Sequence, residues 1–138
     1  MYKYQSEIEL LLDSGCKMPD GLHNPHNYLV YRYVFADSEN INNHKPVYVQ
    51  NPKRALKNPQ TIGYALSCFD DGDKAIENFF NNTQKNKNFV KSVGDSLCSG
   101  VLVEDDGEIT YPNANGHLSL FEYEGCNLAT KFSIIKQL

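Results

Sequence analysis

Ile62-Gly-Tyr-Ala-Leu-Ser-Cys-Phe69, Asp70-Asp-Gly-Asp73 and Lys74-Ala-Ile-Glu-Asn-Phe-Phe80 follow one another without a break. They read as a buried strand, a tight acidic turn and an amphipathic helix. An apolar run of this length between turn residues suits a core strand. Asp71 or Asp73 can cap the helix, because an Asp oxygen accepts a hydrogen bond from a free backbone N–H at a helix start. Ala75, Ile76, Phe79 and Phe80 supply the apolar stripe. One hydroxyl, Ser67, interrupts the strand. By strand alternation it shares a face with Gly63 and Ala65. A face made of small residues implies close approach, either by a ligand or by a neighbouring element.

Upstream, Tyr4, Ile8, Leu11 and Leu12 recur at helical spacing, and Gly15 is a natural stop. Cys16 to Asn27 is a loop, rich in Pro, Gly and His. Tyr28 to Phe35 is dense in aromatic and β-branched residues and predicts a strand. Asp37 to Pro46 reads as a polar loop, Val47 to Gln50 as a short strand, and Pro52 to Pro59 as irregular. Downstream, Phe89, Val90 and Val93 predict one more helical turn. Leu97–Val103, Glu104–Gly107 and Glu108–Tyr111 predict a hairpin, since Asp-Gly between β-rich runs favours a tight turn. His117 to Glu124 is a further strand, ended by Gly125, and Phe132 to Ile135 a last short one. The sum is an α+β fold. Residues 1–138 are expected to form one compact domain, a mostly antiparallel twisted sheet with two or three helices packed against it.

Charged residues make up 22% of the chain and the net charge is −4, which argues against nucleic acid as the main partner. Basic residues concentrate only at Lys53-Arg54 with Lys57 and between Lys85 and Lys91. The four cysteines, Cys16, Cys68, Cys98 and Cys126, have no CxxC spacing, so a zinc knuckle is excluded. His23-Asn-Pro-His26 with Cys16 is too irregular to assign a metal, and none is expected. The acidic turns at Asp70–Asp73 and Glu104–Gly107 lack EF-hand ligand spacing. Cys68 and His117 would make a thiol–imidazole pair only if the fold brought them together. No apolar run reaches membrane-spanning length. The expectation is a cytoplasmic protein with reduced thiols.

Three sets of residues could carry chemistry. Arg32 lies mid-strand with Tyr28, Val30 and Val34 on its face, and a guanidinium there must be paired or reach solvent. Ser67 sits on its small-residue face. Glu122 and Glu124 share a face with Leu118 and Leu120, so that face turns from apolar to doubly acidic. Paired carboxylates suit acid–base work or stabilisation of a cation. In order, Arg32, Ser67 and Glu122-Tyr-Glu124 resemble the Arg–Ser–Glu arrangement of the ADP-ribosyltransferase family. Where that family has Ser-Thr-Ser, this chain has Leu66-Ser67-Cys68. The resemblance spans about Tyr28 to Glu124. It implies that Arg32 holds the phosphates of NAD and that Ser67 supports the nicotinamide pocket. It also implies that Glu124 stabilises the oxocarbenium-like ribose, with Glu122 beside it.

A second expectation needs no cofactor. Size, acidity and nine tyrosines suit a small binding or inhibitory protein of a bacterial or phage conflict system, with another protein as partner. Tyrosine offers large amphipathic contact area, and acidic turns can dock on a basic surface. Tyr28, Tyr31, Tyr33, Tyr48, Tyr111 and Tyr123 all fall on predicted strands.

Overall fold

In Tyr28-Leu-Val-Tyr-Arg-Tyr-Val34 the even-numbered residues from Val30 are buried and their neighbours are partly open. This alternation forms β1 (Tyr28–Val34) of the computed structural model, which describes residues 1–138. The other strands are β2 (Leu66–Phe69), β3 (Ser96–Leu102), β4 (Gly107–Ile109), β5 (His117–Glu122) and β6 (Ser133–Gln137). They make one antiparallel sheet in the order β4-β5-β2-β1-β3-β6. Five helices complete the fold: α1 (Gln5–Asp13), α2 (Val47–Gln50), α3 (Pro52–Lys57), α4 (Gly72–Lys85) and α5 (Phe89–Val93). The architecture is α+β, as the sequence predicts.

The main core lies on the Arg32 face of the sheet. Val30, Leu66, Cys68, Leu102, Leu118 and Leu120 pack there under Cys126, Leu128 and Phe132. A Cβ on Gly100 would fall 2.3 Å from the Phe132 ring, so glycine is what lets that ring lie on β3. On the opposite face α4 covers Tyr31, Tyr33, Phe69 and Leu97 with Ala75 and Ile76. Asp71 is the residue that caps α4, its Oδ1 accepting from the Lys74 N–H at 3.0 Å. α1 presses Ile8 against Ala65 and Phe121. Burying a side chain the size of Phe121 contributes about 2–3 kcal/mol.

The sheet is nearly two sheets. β1 and β3 pair along their whole length, from Tyr28↔Leu102 to Val34↔Ser96. β2 and β5 pair from Leu66↔Leu120 to Phe69↔His117. Between them, β1 and β2 share one pair, Tyr31↔Phe69. Beyond it the halves part.

Several local expectations are corrected. Val47–Gln50 is helical, although Val and Tyr favour strands. Pro46 sits at its N-cap, and Tyr48 turns inward to donate its hydroxyl to the Asn58 carbonyl, so tertiary contact overrides propensity. Pro52–Lys57 is helical too, with Pro52 at the first turn, where a missing N–H costs nothing. The first half of the predicted 62–69 strand is a 3-10 turn, Thr61–Tyr64, and β2 starts only at Leu66. Gly63 is small because the Tyr48 ring lies on it: a Cβ there would fall 2.2 Å from a ring carbon. The predicted β3–β4 hairpin does not form. Asp106 Oδ2 accepts from the Val103 N–H at 2.8 Å and pairs with Lys131. That fixed turn sends the chain into β4, which pairs with β5 and forms the far edge of the sheet. Finally, β5 ends at Glu122, with Tyr123 in an isolated bridge to Tyr2 and Glu124 in the turn.

Candidate functional site

Ser119 spends its N–H on Thr110 Oγ1 at 2.9 Å and its carbonyl on the Thr110 N–H at 3.1 Å, both toward β4. Its partner Ser67 therefore turns its own backbone groups toward β1. There the strands have parted, and Arg32 fills the space. Its Nη1 donates to the Ser67 carbonyl at 2.5 Å and its Nη2 to the Asn43 carbonyl at 3.0 Å. Its Nε points at His44 Nδ1 at 3.4 Å. The side chain is a buried bracket in place of the missing ladder, with the residue only 6% exposed.

His44 completes the bracket. Burial pushes its imidazole down to about 4, with the Arg32 guanidinium and Lys3 adding to the effect. It is neutral near pH 7, as an acceptor for Arg32 must be. Asn43 holds the loop in place. Its Oδ1 accepts from the Phe35 N–H at 2.8 Å and its Nδ2 donates to the Asp37 carbonyl at 2.9 Å.

The parting of β1 and β2 opens a cavity of about 430 Å³, lined by Arg32, Ser67, Lys45, Arg54, Phe35 and Phe89 among others. This is the size of a small-molecule site. Ser67 is exposed there, and its hydroxyl is free of hydrogen bonds within the protein. No Asp or Glu lines the cavity, although the chain has 17 of them.

The structure brings two of the sequence-predicted residues together and leaves two apart. Arg32 and Ser67 meet at the cavity. They do so through the Ser67 backbone, because the Tyr31↔Phe69 register puts their side chains on opposite faces. Glu122 lies on β5, beside β2, and shares the Arg32 face. Four residues separate it from Leu118, which is in the row of Arg32 and Cys68, so the two Cα atoms are roughly 16 Å apart by strand rise and spacing. Glu122 is 3% exposed. Its Oε2 takes the Lys3 ammonium at 2.7 Å, and its Oε1 has no hydrogen-bond partner. The Cys126 thiol beside it is pushed up to about 12 by burial, then by Glu122 and Asp106. Glu124 is exposed in the turn, its backbone N–H donating to the Met1 carbonyl at 3.0 Å. The expected doubly acidic face is therefore corrected: one carboxylate is buried in an ion pair and the other is in solvent.

Other candidates separate cleanly. Cys68 and His117 point to opposite faces of β2 and β5. His23 stacks on Tyr111, and His26 pairs with Glu104 at 2.8 Å. No three His, Cys, Asp or Glu side chains gather as metal ligands. Asn43, His44, Lys45 and Arg54 escaped the sequence reading because they sit in a stretch read as a polar loop and irregular chain. The basic Lys53-Arg54 pair was the one available signal.

No family model matches the chain, and neither a curated protein nor a solved structure matches it.

Proposed function

We infer that the protein is an ADP-ribosyltransferase-like scaffold that binds NAD in the cavity between β1 and β2. The observation that carries this reading is the meeting of Arg32 and Ser67 on adjacent strands at that cavity, with β5, the Glu122 strand, next in the sheet. The order of elements in the chain thus becomes an order of neighbours in space. Binding is the part the geometry supports. Arg32 spends three of its five N–H donors on the protein, and no carboxylate lines the cavity, so a cleaving role for Glu122 or Glu124 has no geometric support. The test is calorimetric titration of the full chain with NAD, alongside an assay for nicotinamide release. Saturable binding is expected in the wild type and in Glu124→Gln. It should be lost in Ser67→Trp, which fills the cavity from an exposed position. Absence of NAD binding at millimolar concentration would sink the reading.

A second observation favours a protein partner, in keeping with an inhibitory or immunity role in a conflict system. Leu29 and Val101 are direct cross-strand partners, 46% and 43% exposed, on the face that α4 otherwise covers. α4 begins over the Tyr31 ring, two residues along from Leu29, and brings the exposed Asp71 and Asp73. An apolar pair bordered by carboxylates suits a basic surface with an apolar anchor. Affinity capture from the native host should recover a partner that Leu29→Asp with Val101→Lys no longer holds. Capture that recovers nothing, or a partner indifferent to those changes, counts against it.

A further inference from the structure

The cavity beside Arg32 carries charge that the Arg32–Ser67 bracket does not use. Lys45 leads into α2 and Arg54 lies on α3, and both line the cavity. Neither belongs to any of the three ion pairs in the protein. The Lys45 backbone is tied to α2, since Gln50 Nε2 donates to the Lys45 carbonyl at 2.7 Å. Behind them stands the buried Arg32 charge, with no carboxylate in the lining to balance it. Three cations facing one concavity, in a chain of net charge −4, make a local positive field inside an acidic protein. Arg32 already donates to the protein from each of its three nitrogens, which fixes its guanidinium in place. Lys45 and Arg54 have no side-chain partner within the protein, and Arg54 presents a planar guanidinium suited to two-point contact with phosphate oxygens.

We propose that Lys45 and Arg54, not Arg32, form a diphosphate-binding subsite at this cavity, with the apolar part of the ligand lying against Phe35 and Phe89. The proposal rests on the cavity being the NAD site. Two free cations, one just before α2 and one on α3, match a dianion, and the buried guanidinium behind them adds attraction without contact. Burial and backbone bonding fix Arg32, whereas the two outer cations can close onto the ligand.

The experiment titrates the full chain with NAD and, separately, with inorganic pyrophosphate, in wild type, Lys45→Gln, Arg54→Gln and the double variant. Arg54 is exposed and Lys45 half-buried, and circular dichroism melts confirm that the variants fold. Each single change should weaken both ligands by about tenfold, the loss of one charge-assisted phosphate contact. Pyrophosphate should compete with NAD. NAD binding that survives the double change overturns the subsite while leaving the NAD reading intact. Pyrophosphate binding that is equal in wild type and double variant also overturns it. Pyrophosphate binding that the double change abolishes, with no NAD binding at all, upholds the anion subsite and sinks the NAD reading. Failure of the wild type to bind either ligand overturns both.

Discussion

Replacing Arg32 with Met separates a bracket from a clamp. The change keeps the length of the stem and removes the guanidinium. The Ser67 and Asn43 carbonyls then lose donors at 2.5 and 3.0 Å in a site where the residue is 6% exposed. An orphaned buried carbonyl costs about 1–3 kcal/mol, so two cost about 2–6. The methionine returns about 1–2 kcal/mol of apolar burial and spares the desolvation of a charge. The net loss is about 3 kcal/mol. With an m-value of about 2 kcal/mol/M, the urea midpoint falls by about 1.5 M. The assay is urea unfolding followed by far-UV circular dichroism, repeated with Arg32→Lys, which keeps the charge but loses the fork. A midpoint for Arg32→Met within about 0.3 M of wild type would refute the reasoning. Arg32 would then be free of structural duty, and the assignment of ligand contact to Lys45 and Arg54 would lose its main support.

Three further outcomes are expected. Asp71→Ala removes the cap of α4 and should cost about 1 kcal/mol in urea unfolding, whereas Asp73→Ala should cost less than half of that. Gly63→Ala forces a methyl into the Tyr48 ring and should lower stability by about 1–3 kcal/mol, a loss that Tyr48→Leu in the same chain should partly relieve. The third concerns pH. His44 is held down to about 4 in the fold, by burial first and then by Arg32 and Lys3, against 6.5 when unfolded. The unfolded chain therefore takes up a proton that the fold refuses. Stability should fall as pH drops from about 6.5 to about 4, by on the order of 3 kcal/mol, and this contribution should level off below that. His44→Gln should flatten that slope, and an unchanged slope would exclude His44 as its source.

Legibility followed the range of the interactions. β1, α4 and the Asp71 cap were readable because alternation, an apolar stripe and a capping aspartate are local signals. The Val47–Gln50 helix was not, because Pro46 and the inward turn of Tyr48 outweighed strand propensity. The Asp-Gly turn after β3 misled for a similar reason. Its local chemistry suits a hairpin, but Asp106 is taken by Val103 and by Lys131, which is distant in the chain. Of the candidate site, Arg32 was readable as an anomaly on an apolar strand. Its partners were not, since Asn43 and Ser67 meet it through backbone carbonyls, which carry no residue signature. The fate of Glu122 was hidden because its counter-ion, Lys3, comes from the other end of the chain.

The parting of β1 and β2 links these features. A sheet that kept pairing past Tyr31↔Phe69 would satisfy Ser67 by ladder and leave a buried arginine no reason to be there. Because the ladder stops, Ser67 needs a donor, and only a side chain long enough to cross the gap can supply it. The space on the other side of that crossing is the cavity. Its mouth is walled by α2 and α3, the two helices that the sequence disguised as strand and irregular chain. The structural role of Arg32 and the existence of the cavity are thus one feature, and it follows that the ligand contacts fall to the cations around the rim. Ligand binding should accordingly leave the Arg32 bracket unchanged. Hydrogen exchange at the β1 amides should stay constant on adding pyrophosphate or NAD, while protection rises across residues 45–54, a stretch that lines the cavity. A rise confined to β1 would place the ligand on Arg32 after all and return the fork to the anion.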